Sequence, residues 1–154
     1  MKSVVIGNDH AAVDFKREVA DYLIRVGYEV VDVGCNDTKS VDYPDIAEKV
    51  AAYVQENPDS FGVLVCGTGI GMSIAANKYE GIRAALCHNA YTAQMARSHN
   101  NANILCMGSR VIGTGVAQSI LKAWLDTAFA GGRHGDRLAK IDQIEARKRD
   151  YDLS

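Results

Sequence analysis

The residues most able to do chemistry lie in Cys66-Gly67-Thr68-Gly69-Ile70-Gly71. A thiol stands at the head of a run in which Gly67, Gly69 and Gly71 let the backbone take positive φ and come close to a ligand. A helix starting near Ile70 would aim its free N–H groups and partial positive charge back at this loop. Such a loop binds an anion, either a phosphate or an enediolate oxygen. It also favours the thiolate of Cys66. Thr68 adds a hydroxyl that both donates and accepts. The same run equally suits a tight strand-to-helix turn with Cys66 as a small buried hydrophobe, and the loop alone does not separate the two. A dinucleotide fingerprint is a poorer fit. The run lacks the G-x-G-x-x-G spacing with a later acidic residue, and no Gly-Lys-Ser/Thr follows to make a P-loop.

Other candidates are scattered along the chain. Asp9-His10 follows the first strand. Asp9 is a good N-cap, but it could also orient a hydroxyl or ring oxygen while His10 contacts sugar hydroxyls or phosphate. Tyr43 precedes Pro44 and by itself reads as a turn residue. His99-Asn100 ends a helical run, where a capping role is expected within one chain. A catalytic role for it requires a second subunit. Arg110, in Met107-Gly108-Ser109-Arg110, suits a phosphate. Arg133 and Arg137 are four apart in a glycine-loosened basic segment, so they could share a helix face and clamp a phosphate, or simply form a solvated patch. His88, Cys35, Cys87 and Cys106 show no partner pattern, and core or surface roles are expected for them.

Five short apolar runs could position these groups as strands: Ser3–Gly7, Tyr28–Val33, Gly62–Cys66, Ile82–Cys87 and Asn103–Met107. Their near-continuous hydrophobicity suits strands buried on both faces of a parallel sheet. Between them lie amphipathic runs, Val13–Val26, Pro44–Gln55, Ile70–Lys78, Ala90–Ser98 and Val116–Phe129, and a charged tail helix over 136–151. The tail's apolar stripe (Leu138, Ile141, Ile144) is too sparse to fold alone, so it should pack on another subunit or across the body. The alternation predicts an α/β fold with right-handed crossovers, a three-layer Rossmann-like sheet in flavodoxin-like order 2-1-3-4-5 with helices on both faces. Ligands in such sheets sit beyond the strands' carboxyl ends at the switch point, here between strands 1 and 3. Residues 7–10 and 66–71 converge there.

Bulk properties bound the rest. A length of 154 residues points to one domain, and 47% hydrophobic and 23% charged residues are ordinary for a globular protein. A net charge of −2 argues against nucleic acid or a membrane surface as the main partner. No apolar stretch approaches a transmembrane span. The N-terminal apolar run is too short for a signal peptide. Four cysteines without C-x-x-C pairs indicate neither zinc nor a disulfide framework, and a reducing cytoplasm is expected.

Taken together and in order, these motifs resemble the type B ribose-5-phosphate isomerases, a family that also includes galactose- and allose-6-phosphate isomerases. The resemblance rests on Gly7-Asn8-Asp9-His10, Asp42-Tyr43-Pro44, residues 66–78, Gly81-Ile82-Arg83-Ala84, His99-Asn100, Gly108-Ser109-Arg110 and Gly131-Gly132-Arg133-His134, and it runs to about Arg149. It implies interconversion of ribose 5-phosphate and ribulose 5-phosphate, a pentose phosphate pathway reaction, with no metal and no organic cofactor. It implies a homodimer, in some members paired into a tetramer, with active sites shared between subunits. The base that moves the C2 proton falls on Cys66, whereas some relatives use a glutamate elsewhere. The ring-opening histidine falls on His99. His10, Arg110, Arg133 and Arg137 fall on positions that contact phosphate or substrate. The alternatives are an isomerase of a hexose 6-phosphate, a non-catalytic sugar-phosphate sensor and a nucleotide-dependent oxidoreductase.

Overall fold

In the strands, alternate side chains point to opposite faces, and here both faces are apolar. Val4, Ile6, Val63, Val65, Leu105 and Met107 pack with one set of helices, while Val5, Leu64, Cys66, Ile104 and Cys106 pack with the other. The computed structural model describes residues 2–153. Its strands are β1 (Ser3–Asn8), β2 (Glu29–Asp32), β3 (Phe61–Cys66), β4 (Ala84–Leu86) and β5 (Ile104–Gly108). Its helices are α1 (Val13–Arg25), α2 (Tyr43–Glu56), α3 (Ile70–Ala76), α4 (Ala90–Ser98), α5 (Thr114–Asp126) and α6 (Arg133–Leu153), with a short 3₁₀ turn at His10–Ala12. All strand pairs are parallel. Helices α1, α4 and α5 cover one face, and α2 and α3 cover the other. The expected α/β sandwich is what forms.

The strand order is β2-β1-β3-β5-β4, not the flavodoxin-like 2-1-3-4-5. Burial explains the exchange. β5 is buried at all five positions, whereas β4 is three residues long and only half-buried throughout. A short strand with an arginine at its threshold (Arg83) tolerates an edge, and a continuous apolar one needs the centre. The exchange matters for function because Cys66 now pairs in register with Gly108. Ser109 and Arg110 thus emerge directly beside the Cys66 loop, one strand spacing of about 4.8 Å away rather than two.

Two further features depart from a simple amphipathic reading. Lys16, in the first turn of α1, is buried among its apolar neighbours. Arg97 on α4 is also buried. Its guanidinium lies 4.7 Å from the Phe61 ring centroid and 5.7 Å from that of Trp124, and it donates to Asn101 Oδ1 (3.1 Å) and the Ala102 carbonyl (2.6 Å). Phe61 and Trp124 meet edge to face at 6.0 Å. Helix α6 begins at Arg133, earlier than the tail helix expected over 136–151, after Gly131 and Gly132 both take left-handed φ. It lies across the body of its own chain. Glu145 accepts from Gly81 N–H (3.1 and 3.3 Å), and Arg149 bonds Glu80 at 3.0 Å. Its apolar stripe remains half open, with Ile141 50% and Ile144 58% exposed. Among the described residues no helix is long and apolar enough to cross a membrane.

Candidate active site

The β3–α3 turn is built largely by itself. β3 delivers Cys66, 6% exposed, to its carboxyl end. Gly69, at φ +80°, turns the chain in the left-handed region so that its N–H donates to Cys66 Sγ at 3.1 Å. A side chain there would also meet Leu86 and the Met107 backbone within 3 Å. Ile70 N–H donates to Thr68 Oγ1 at 3.2 Å. The expectation that the whole 67–71 amide run faces an anion is therefore narrowed, since two of these amides serve the loop's own thiol and hydroxyl. Burial of Cys66 alone fits the structural reading of this residue. The N–H aimed at its sulfur goes beyond that reading, because it fixes the sulfur in one place at the mouth of the turn.

Neighbouring elements complete this rim. Ser109 N–H donates to the Cys66 carbonyl (2.9 Å) and Arg110 N–H to the Gly67 carbonyl (3.0 Å). The Arg110 guanidinium lies over Gly67, 3.2 Å from where a Cβ would stand. The Tyr43 ring, at the start of α2, packs on Gly71 so closely that a Cβ there would sit 2.6 Å from a ring carbon. Asp9 caps the 3₁₀ turn, its Oδ1 accepting from Ala11 N–H at 3.0 Å. His10 Nδ1 accepts from Val41 N–H at 3.2 Å. The structure thus gathers Asp9, His10, Tyr43, residues 66–71 and Arg110 at the carboxyl ends of the strands.

His99, Asn100, Arg133 and Arg137 are not among them. His99 caps the C-terminus of α4, which runs back from the carboxyl rim, so it emerges near the amino ends of β4 and β5. All four side chains are exposed. His99 stacks on His134, with ring centroids 4.1 Å apart and planes at 13°. His134 stands on the first turn of α6 with Arg133 and Arg137. Desolvation, then the nearby His99, Arg133 and Arg137, hold its imidazole below the usual histidine value. Asn100 borders a groove of about 530 Å³ between α6 and the β4 edge, lined also by Leu138, Ile141 and Ile144. The contribution of His134 was not apparent from the sequence, although Arg133-His134 within the glycine-rich segment was a usable signal.

The remaining thiols have a different character. Burial pushes Cys87 up to about 11, and full burial pushes Cys106 higher still. Cys35, half-buried, is also raised by desolvation. Core or surface roles for these three, and an exposed His88, agree with the sequence expectation.

The sequence pattern of the Ribose/Galactose Isomerase family matches residues 4–141. The chain belongs to this family. Its fold superposes on the ribose-5-phosphate isomerase B structure from Clostridium thermocellum with a TM-score of 0.93 and 51% identity, covering 96% of this chain and 99% of that one. Ribose-5-phosphate isomerase B of Escherichia coli (strain K12) is 44% identical over 96% of this chain and 99% of its own length. The D-erythrulose-4-phosphate isomerase of Pectobacterium atrosepticum is 45% identical over 94% of this chain and 96% of its own. For a Ribose/Galactose Isomerase family member, the carboxyl-rim cluster is the natural place to look for chemistry, since open α/β sheets bind ligands there.

Proposed function

We propose that the chain is an aldose–ketose isomerase that interconverts ribose 5-phosphate and ribulose 5-phosphate, with Cys66 as the base. The observation that carries this reading is the Gly69 N–H donated to the Cys66 sulfur at the mouth of the glycine turn. It supports a sulfur held in place where topology puts the ligand, in a chain with this family's motifs. The cyclic sugar opens first, as His99 protonates the ring oxygen and Asp9 or a water takes the anomeric hydroxyl proton. Cys66 then removes the C2 proton of the open aldose, leaving an enediolate whose charge is on O1 while O2 keeps its proton. The remaining loop amides and Asn100 stabilise it. Thr68 moves a proton from O2 to O1, the C2 carbonyl forms, and Cys66 returns its proton to C1. His10, Arg110, Arg133 and Arg137 hold the phosphate, and that remote binding positions the reacting carbons.

Because His99, Asn100, Arg133 and Arg137 stand away from the Cys66 rim, the site is complete only when a second copy supplies them. The proposal is therefore a homodimer with shared sites, contacted in part by α6. Four free cysteines suit the cytosol. The test is interconversion of ribose 5-phosphate by the purified protein without added metal, expected to proceed at ordinary enzymatic rates. No turnover would refute the assignment. A second reading rests on the near-equal identity of relatives named for a pentose and a tetrose phosphate. Under it another chain length, including the hexose 6-phosphates, is preferred. Relative kcat/KM values on ribose 5-phosphate, erythrulose 4-phosphate and allose 6-phosphate decide between them.

A further inference from the structure

The connection from β2 to α2, residues 33–42, is tied to Asn8 at one end and to His10 at the other, and it is fastened by a side chain with no place in the chemistry. Lys16 is 1% exposed. Its ammonium donates to Asp32 Oδ2 (2.7 Å), the Cys35 carbonyl (2.9 Å) and Asn36 Oδ1 (2.6 Å). Three acceptors use all three of its protons. Buried Asn8 ties the same segment to the end of β1. Its Oδ1 accepts from Cys35 N–H at 3.1 Å, and its Nδ2 donates to the Asp9 carbonyl at 2.9 Å. At the far end Val41 N–H donates to His10 Nδ1. That bond leaves Nδ1 without a proton, so a neutral His10 carries its proton on Nε2 and presents it as a donor. One residue beyond the segment, Tyr43 closes on Gly71.

We infer that Lys16 is a positioning residue: by anchoring the 33–42 strap it fixes the tautomer of His10 and the placement of Tyr43 over the glycine turn. It acts through these groups and touches no ligand itself. A lysine serving stability alone would leave His10 and the affinity for substrate unchanged when replaced.

The inference rests on the isomerase reading for its kinetic arm only. In Lys16→Met the chain keeps a side chain of similar length, and Asp32, its carboxylate 36% exposed, stays solvated. Imidazole ¹⁵N NMR should show His10 as the Nε2–H tautomer in the unaltered protein and as a mixture in Lys16→Met. The KM for ribose 5-phosphate should rise about tenfold or more, with kcat changing less. Asn36→Ala, at an exposed position, should move both readouts the same way by a smaller amount, and it decides the matter if Lys16→Met fails to fold. Folded Lys16→Met with an unchanged His10 tautomer overturns the inference, as does a changed tautomer with an unchanged KM. If the unaltered protein does not turn over ribose 5-phosphate, the isomerase reading fails while the NMR arm still decides whether Lys16 sets His10.

Discussion

The two ends of the sheet are built on different plans. At the carboxyl rim, Cys66 is held by backbone bonds: Gly69 N–H to the thiol, Ile70 N–H to Thr68, and, from the segment just after β5, the amides of Ser109 and Arg110 to the Cys66 and Gly67 carbonyls. At the other, His99, Arg133 and Arg137 stand exposed on two helices joined by a ring stack and by Ala130 N–H donating to the Ser98 carbonyl at 2.9 Å. A reactive atom needs placement to a fraction of an ångström, and backbone supplies it. On the proposed reading, His99, Arg133 and Arg137 complete the site of a second copy, so they stay on the surface of their own chain.

Substitutions at each rim can break this contrast. The largest effect belongs to Cys66→Ala, which should lower kcat by roughly 10²–10⁴-fold, the usual worth of a placed proton-transfer group, and should stop exchange of the C2 hydrogen with deuterated solvent. Exchange at the original rate would remove Cys66 from the mechanism. His99→Asn should be nearly as inactive on cyclic sugar. Mixing it with Cys66→Ala should then restore activity, because each mixed dimer with a two-fold axis regains one intact site. Random re-pairing would give about a quarter of the original activity, and no recovery would place both residues in one subunit's site. Gly71→Ala forces the Tyr43 ring aside, at a cost of about 1–3 kcal/mol in stability, and should raise KM more than it lowers kcat. The smallest change is expected from Asn89→Ala. Asn89 caps α4, its Oδ1 accepting from Thr92 N–H at 2.8 Å. The loss should be about 1 kcal/mol in unfolding free energy, with the Cys66 rim unaffected in single-chain thiol labelling.

Much of this was readable in the residues. Ala90–Ser98 was placed to the residue, and the glycine run announced its turn, because both depend on local backbone preferences. The order of the last two strands did not follow from the same signals, since it turns on which strand can bear an edge. Arg83, inside the Ile82–Cys87 run, carries that information, and the flavodoxin analogy overrides it. Neither Lys16 nor Arg97 stands out among the candidate residues of the sequence. Their burial depends on acceptors and rings brought from distant segments, such as Asn36 for one and Phe61 with Trp124 for the other, which no local spacing encodes. The same holds for the His99–His134 stack, whose members meet only after α5 has been laid down between them.

Trp124 is the only tryptophan of the chain, and it is almost wholly enclosed. With Phe61 at its edge and the Arg97 guanidinium over it, the indole sits at the base of the helix that ends in His99. The protein therefore carries an intrinsic optical reporter for one end of its sheet. A blue-shifted emission that reddens when α4 loosens would follow that helix in real time, while the thiol end of the sheet stays dark.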